Sequence, residues 1–167
     1  MRARRARNAA VAADVTEALS GLRFTARSDR GDVTAHADQH GRVGAIEIGR
    51  PLTRMRAGDL GTQVTQAVSR VRTEAADTIR AIVLARWPDN GLPAINEADG
   101  TRWTVTHPVD AGLGSLTMND DGTVTSVDLD DRAMRTMRAD RVAGLIVAAI
   151  DGAHRKRATA GRAEARS

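Results

Sequence analysis

Four histidines, His36, His40, His107 and His154, are the side chains best placed to move a proton near neutrality. None stands at an informative spacing from a nucleophile or an orienting carboxylate, so no general base emerges. His40 falls in a turn, and His107 directly precedes Pro108. Asp120, Asp121, Asp128, Asp130 and Asp131 offer hard oxygen ligands of the kind Ca²⁺ or Mg²⁺ takes, but their order matches no EF-hand loop. They are read as turn and exposed-strand residues, and no metal is expected. Gly112-Leu113-Gly114 lacks the context of either glycine-rich phosphate loop, so no nucleotide cradle is expected. Trp87 and Trp103 have faces on which bases can stack. With Phe24 they are the only aromatics in the chain, so both are expected to fill the core, and Trp103 to be buried. The chain therefore reads as a non-enzyme with no catalytic residue and no cofactor.

The chemistry that remains is cationic. Arg2, Arg4, Arg5 and Arg7 cluster at one end, and Arg155, Lys156, Arg157, Arg162 and Arg166 at the other, while the middle of the chain is close to balanced or acidic. Each such head group can neutralise a phosphate and release its counterions, so the two ends together suit salt-dependent, sequence-tolerant binding of nucleic acid. The competing reading is a pair of solvated tails. Net charge is only +4, and 24 of the 25 basic residues are arginine, the exception being Lys156. Such usage reflects a GC-rich genome as readily as a function, so placement is the informative quantity.

A chain of 167 residues is enough for one domain, or for two half-domains that share a core. Its 41% hydrophobic content is mostly small aliphatics, which gives a thin core and favours a homodimer. No cysteine is present, which excludes disulfides and thiolate metal sites. No apolar run reaches the roughly 18 residues needed to cross a bilayer, so no membrane partner is expected. The basic N-terminus has the look of a signal-peptide head, but Asp14, Glu17 and Ser20 interrupt the stretch where an apolar core would have to lie, and a cytoplasmic location is expected.

The elements that would carry these groups can be read from spacing. Asn8 to Ser20 places Val11, Val15 and Leu19 on one face of a short first helix. Leu22 to Ser28 alternates as a strand, and Val33 to Ala37 and Val43 to Ile48 form a hairpin about Asp38-Gln39-His40-Gly41. From Ala57, the residues Leu60, Val64, Ala67, Val68, Val71 and Ala75 recur at helical spacing, as one long helix or as two joined near Thr73. Residues 88–101 are a turn-rich connection whose Leu92 and Ile95 tuck into the core. A strand at Arg102 to Val105 comes next, then a Gly-rich connection and a second hairpin, Ser115 to Asn119 and Thr123 to Leu129.

The second half repeats the first. Superposing the two hairpin turns sets Val43 on Val124, Ile46 on Val127 and Ile48 on Leu129, and one inserted residue later Met55 meets Met137 and Val64, Ala67 and Val68 meet Ile146, Ala149 and Ile150. Arg23-Phe24-Thr25-Ala26 is echoed by Arg102-Trp103-Thr104-Val105, aromatic over aromatic. Agreement of strand, hairpin and helix in one order points to a tandem duplication.

The repeat unit, in which Gly41-Arg42-Val43-Gly44-Ala45-Ile46-Glu47-Ile48 leads to Leu60, Val64 and Val68, and Gly122-Thr123-Val124-Thr125-Ser126-Val127-Asp128-Leu129 leads to Leu145 through Ile150, resembles the YbaB/EbfC family of bacterial nucleoid-associated proteins. The resemblance covers most of residues 10–155. It implies an α+β fold of two tandem helix/three-stranded antiparallel sheet/helix units forming an intramolecular pseudo-dimer, non-specific binding of double-stranded DNA, and a place in the nucleoid. The expected organisation is a basic N-terminal tail (1–7), a first unit (8–87), a second unit (88–157) and a disordered basic C-terminal tail (158–167). The first helix is shorter than in the family, and the second unit has no separate leading helix unless residues 74–87 serve. These departures leave room for a protein partner instead: an interaction module or secretion-associated adaptor that kept the fold without DNA affinity.

Overall fold

A computed structural model describes residues 2–86 and 103–164 of the chain, with side chains for 9–86 and 103–159. The architecture is α+β. Helix α1 (Arg2–Leu19) leads to strands β1 (Phe24–Arg27), β2 (Val33–Ala37) and β3 (Val43–Ile48), a single 3₁₀ turn at Leu52–Arg54, and the long helix α2 (Ala57–Arg86). The second half supplies β4 (Thr104–Val109), β5 (Gly114–Asn119), β6 (Val124–Leu129), the short helix α3 (Asp131–Arg135) and the long helix α4 (Ala139–Glu164). The strands make two antiparallel sheets, ordered β1-β2-β3 and β4-β5-β6.

The two sheets have the same register. Ala35 faces Ile46 as Leu116 faces Val127, and Ala37 faces Val43 as Met118 faces Val124, a constant separation of 81 residues (116 − 35 = 118 − 37 = 81). Both ladders shift at the same step, between His36 and Ala37 and between Thr117 and Met118. One extra residue on the outgoing strand, Gly44 or Thr125, resets the side-chain alternation there. That is why Val43 and Ile46, three apart, are both buried, as are Val124 and Val127. The turns match as well. The Asp38 carboxylate accepts from the backbone N–H of His40 and Arg42 at 2.9 and 3.0 Å, and the Asn119 side-chain oxygen accepts from Thr123 N–H at 2.8 Å. Gly41 and Gly122 close the turns at φ of 73° and 86°, a conformation that costs glycine little.

The register corrects one expected alignment. Phe24 pairs with Ala37, and Val105 pairs with Met118, so Phe24 corresponds to Val105 and not to Trp103. A slip of two residues keeps the face, which is why the sequence pattern tolerated it. Phe24 and Val105 are both buried, whereas Trp103, just before the strand, is only partly covered. Trp87, Leu92 and Ile95 lie outside the described residues. The strand after Trp103 also runs further than expected, through His107 and Pro108 to Val109. As an edge strand, β4 accommodates a residue without an N–H.

α2 is one unbroken helix past Thr73. Its buried face, Leu60, Val64, Ala67, Val68, Val71 and Ala75, packs over β1 and β2 and then over β6 of the other sheet. α4 does the converse, packing Val142, Ile146, Ala149, Ile150 and Ala153 against β4, β5 and β3. A single cluster of buried side chains therefore contains residues of both sheets and of α2, α3 and α4. Cross-connection extends to the helix start: the Asp131 carboxylate accepts from Ala57 N–H at 2.9 Å, satisfying a donor that α2 leaves without an intrahelical partner. Asp130 caps α3 through Ala133 N–H at 2.7 Å. Two of the five clustered aspartates thus have defined structural positions.

α1 rests mainly on α2, with Val11, Val15, Ala18 and Leu19 partly covered and Asp14 paired to Arg86 at 3.1 Å. It begins at Arg2 and not near Asn8, so the expected N-terminal tail is the first part of a helix. α4 likewise continues to Glu164, so residues 158–164 are helical and not disordered. Alanine and arginine are among the best helix formers, and both ends consist largely of them, so basic composition alone was a poor guide to disorder.

Candidate functional site

The described portions of α2 beyond Ala75 and of α4 beyond Ala153 contain no buried residue, although Ile79 of α2 still packs against the core, so both helices run on past its fully buried part. They leave it at the end where the hairpin turns sit. Gly41 lies against Ala75 on α2, and Gly122 lies against His154 and Arg157 on α4. Of the nine cations singled out in the sequence, Arg2, Arg4, Arg5 and Arg7 stand on the first turns of α1, and Arg155, Lys156, Arg157 and Arg162 stand on the projecting part of α4. Arg166 lies outside the described residues.

The C-terminal cluster divides. Arg155 is exposed, Lys156 donates to the Thr106 carbonyl at 3.1 Å, and Arg157 turns inward and donates through Nη1 to the Asp120 carbonyl at 2.8 Å. Arg157 there joins residues that sequence reading did not group: Arg42 from the first hairpin turn, Arg72 from α2 and His154 from α4. Together with His40 and Asp151 they line a cleft of about 390 Å³ at the hairpin end, between the two halves. Arg42 pairs with Asp151 at 3.3 Å. Burial and the neighbouring Arg157 push the Arg72 guanidinium below its usual range while Asp121 opposes them, yet an arginine so placed remains charged.

A signal for this grouping existed. Along α2 the row Leu60, Val64, Val68 is continued at the next i+4 step by Arg72, and along α4 the row Val142, Ile146, Ile150 is continued by His154. Each apolar stripe turns polar at the same helical turn. A charged group in line with a core stripe is expensive to bury without a partner.

His154 is held below its ordinary value of 6.5 by burial first, then by Arg72 and Arg157, with Arg42 adding to them and Asp151 opposing. The unfolded chain therefore takes up this proton before the folded protein does. Stability from the neutral imidazole is complete above about pH 6.5 and is lost as pH falls through the lower folded value. Urea midpoints should drop as pH falls below about 6.5, and His154→Gln should flatten that drop. A His154→Gln profile that tracks the parent through this window would contradict the assignment. Asp38 and Asp121 do not interfere. Burial raises both, but hydrogen bonds outweigh it, from Arg42 and His40 for Asp38 and from Thr123 for Asp121, and hold them below the usual carboxylate range.

The other histidines take part in structure. His36 shares a 3.0 Å hydrogen bond with Thr25, and the His107 ring covers Gly152 of α4. Among the described residues, no group of three or more His, Asp or Glu side chains is arranged to hold a metal ion, and no helix is long and apolar enough to cross a membrane. Compared with protein-family models, curated proteins and solved structures, the chain matches none of them.

Proposed function

We propose that the protein is a tandem relative of the YbaB/EbfC proteins, its two halves forming a pseudo-dimer within one chain, and that it binds duplex DNA of the nucleoid with little sequence preference. The observation that carries this reading is the placement of both arginine clusters on helical segments, the C-terminal one on the part of α4 that runs past the core. A helix holds its cations at fixed spacing, so those that project, Arg155 among them, can each meet a phosphate of a duplex. The identical sheet registers support the pseudo-dimer.

Arg157 is committed to the Asp120 carbonyl, so the test leaves it intact. Glutamine at Arg2, Arg4, Arg5, Arg7, Lys156, Arg162 and Arg166 should weaken duplex binding by at least roughly 10-fold near 0.1 M salt and flatten its salt dependence, since each lost phosphate contact removes about 0.9 from the log–log slope. Fluorescence anisotropy against a salt series reads both quantities. No binding by the parent at low salt, or equal binding by the variant, would remove the proposal.

A second reading rests on a different surface. An open groove of about 650 Å³ lies where Ile46, Ile48, Pro51 and Leu52 of the first half face Met137 and Ala143 of the second. Such an apolar lining suits a protein-interaction module or secretion-associated adaptor. A stoichiometric protein partner retained after nuclease treatment and released by Ile48→Glu would favour it.

A further inference from the structure

We propose that the cleft between the hairpin turns, formed by Arg42, Arg72, His154, Arg155 and Arg157, binds a phosphoryl group. This goes beyond the helix-end cations, of which only Arg155 and Arg157 border the cleft.

Charge makes the first argument. Four guanidiniums border the cleft, against the carboxylates of Asp151, paired with Arg42, of Asp121, which acts on Arg72, and of Asp38, which acts on Arg42. With the imidazole neutral, the cleft keeps a positive charge (4 − 3 = 1), which attracts an anion.

Hydrogen bonding makes the second. Arg72 Nη1 and Arg157 Nε are buried and meet no protein acceptor among the described residues. A buried charged donor without an acceptor is unfavourable, and an oxyanion in the cleft shifts the guanidiniums towards pairing. The lining is almost free of large apolar side chains, so nothing there recognises an acyl chain. Donors converge from a hairpin turn, α2 and α4, three directions that suit a tetrahedral anion better than a planar carboxylate.

A phosphoryl group can come from a free phosphate compound or from the backbone of a nucleic acid, and the experiment separates the two. Thermal unfolding is monitored with inorganic phosphate and with chloride at matched ionic strength, for the parent, Arg72→Gln and Arg42→Gln. Phosphate should raise the parent's Tm by roughly 3 °C at ten times its Kd, and both substitutions should abolish that rise. Arg42 is exposed, so its substitution reports on the site even if Arg72→Gln disturbs folding. Duplex affinity is measured on the same variants. A fall of several fold in Arg42→Gln assigns the group to a nucleic-acid backbone, and an unchanged affinity assigns it to a free phosphate compound. No phosphate-specific rise in the parent, or an equal rise in both variants, overturns the site. Those results leave the helix-end proposal standing, because its variants retain Arg42, Arg72 and Arg157.

Discussion

Gly61→Ala should destabilise the protein by about 3 kcal/mol, at the upper end of what added volume in a packed core costs. In the middle of a helix the same substitution would ordinarily gain close to 1 kcal/mol from propensity, so the expected sign is reversed. The reason is a backbone contact: Gly61 lies where α2 crosses β6, and a Cβ there would overlap the Val127 carbonyl oxygen. A side chain can swing aside, but a carbonyl is part of the strand backbone, so α2 and β6 must separate. The loss then spreads to Leu60, Val64 and Val127, which pack beside the crossing. Gly152→Ala is the control. The atoms nearest its new Cβ belong to the His107 ring, which can rotate, so a loss below about 1 kcal/mol is expected. Urea unfolding of the three proteins measures both values, and equal losses at the two glycines would contradict this account.

Leu116→Ala should cost about 3 kcal/mol, within the usual range for removing a fully buried leucine. Leu116 is inaccessible to solvent and faces Val127 across the ladder, while its counterpart in the first sheet, Ala35, already carries only a methyl group. The informative part is the shape of the transition. Buried residues of both sheets belong to one cluster, so the variant should unfold in a single step at lower denaturant, with circular dichroism and tryptophan fluorescence giving the same midpoint. Two resolved transitions, with only the second lowered, would show that the halves have separate cores.

Much of this was legible in the amino-acid order. β2 and β3 appear with the expected bounds, because strands with one buried face alternate and their turns carry Asp, Asn and Gly. The apolar row of α2 appears at the expected positions for the same kind of reason. The illegible parts have two causes. Composition misled at the ends, where the arginine-rich segments were expected to be tails although arginine also favours helix. Contacts between distant segments were silent: no local pattern announces that Asp131 meets Ala57, that Arg42 meets Asp151, or that Arg72, Arg157 and His154 approach one another. Strand pairing was needed to replace the match of Phe24 with Trp103 by that of Phe24 with Val105. The cleft was therefore visible only as two polar residues that end two apolar rows.

The unequal filling of the two sheets sets a rule for exchanging parts. The first half contributes Phe24, Val33 and Leu60 where the second has Val105, Gly114 and Val142, and the second contributes Leu116, Met118 and Ile146 where the first has Ala35, Ala37 and Val64. Because each long helix lies over strands of both halves, bulk on one side is matched by room on the other. Two first halves would meet with too little volume at the β2 positions, and two second halves with too much at β5. The halves are complementary and not interchangeable, so a chain split within the connection at residues 87–102 should reassemble one of each kind and reject pairs of like kind.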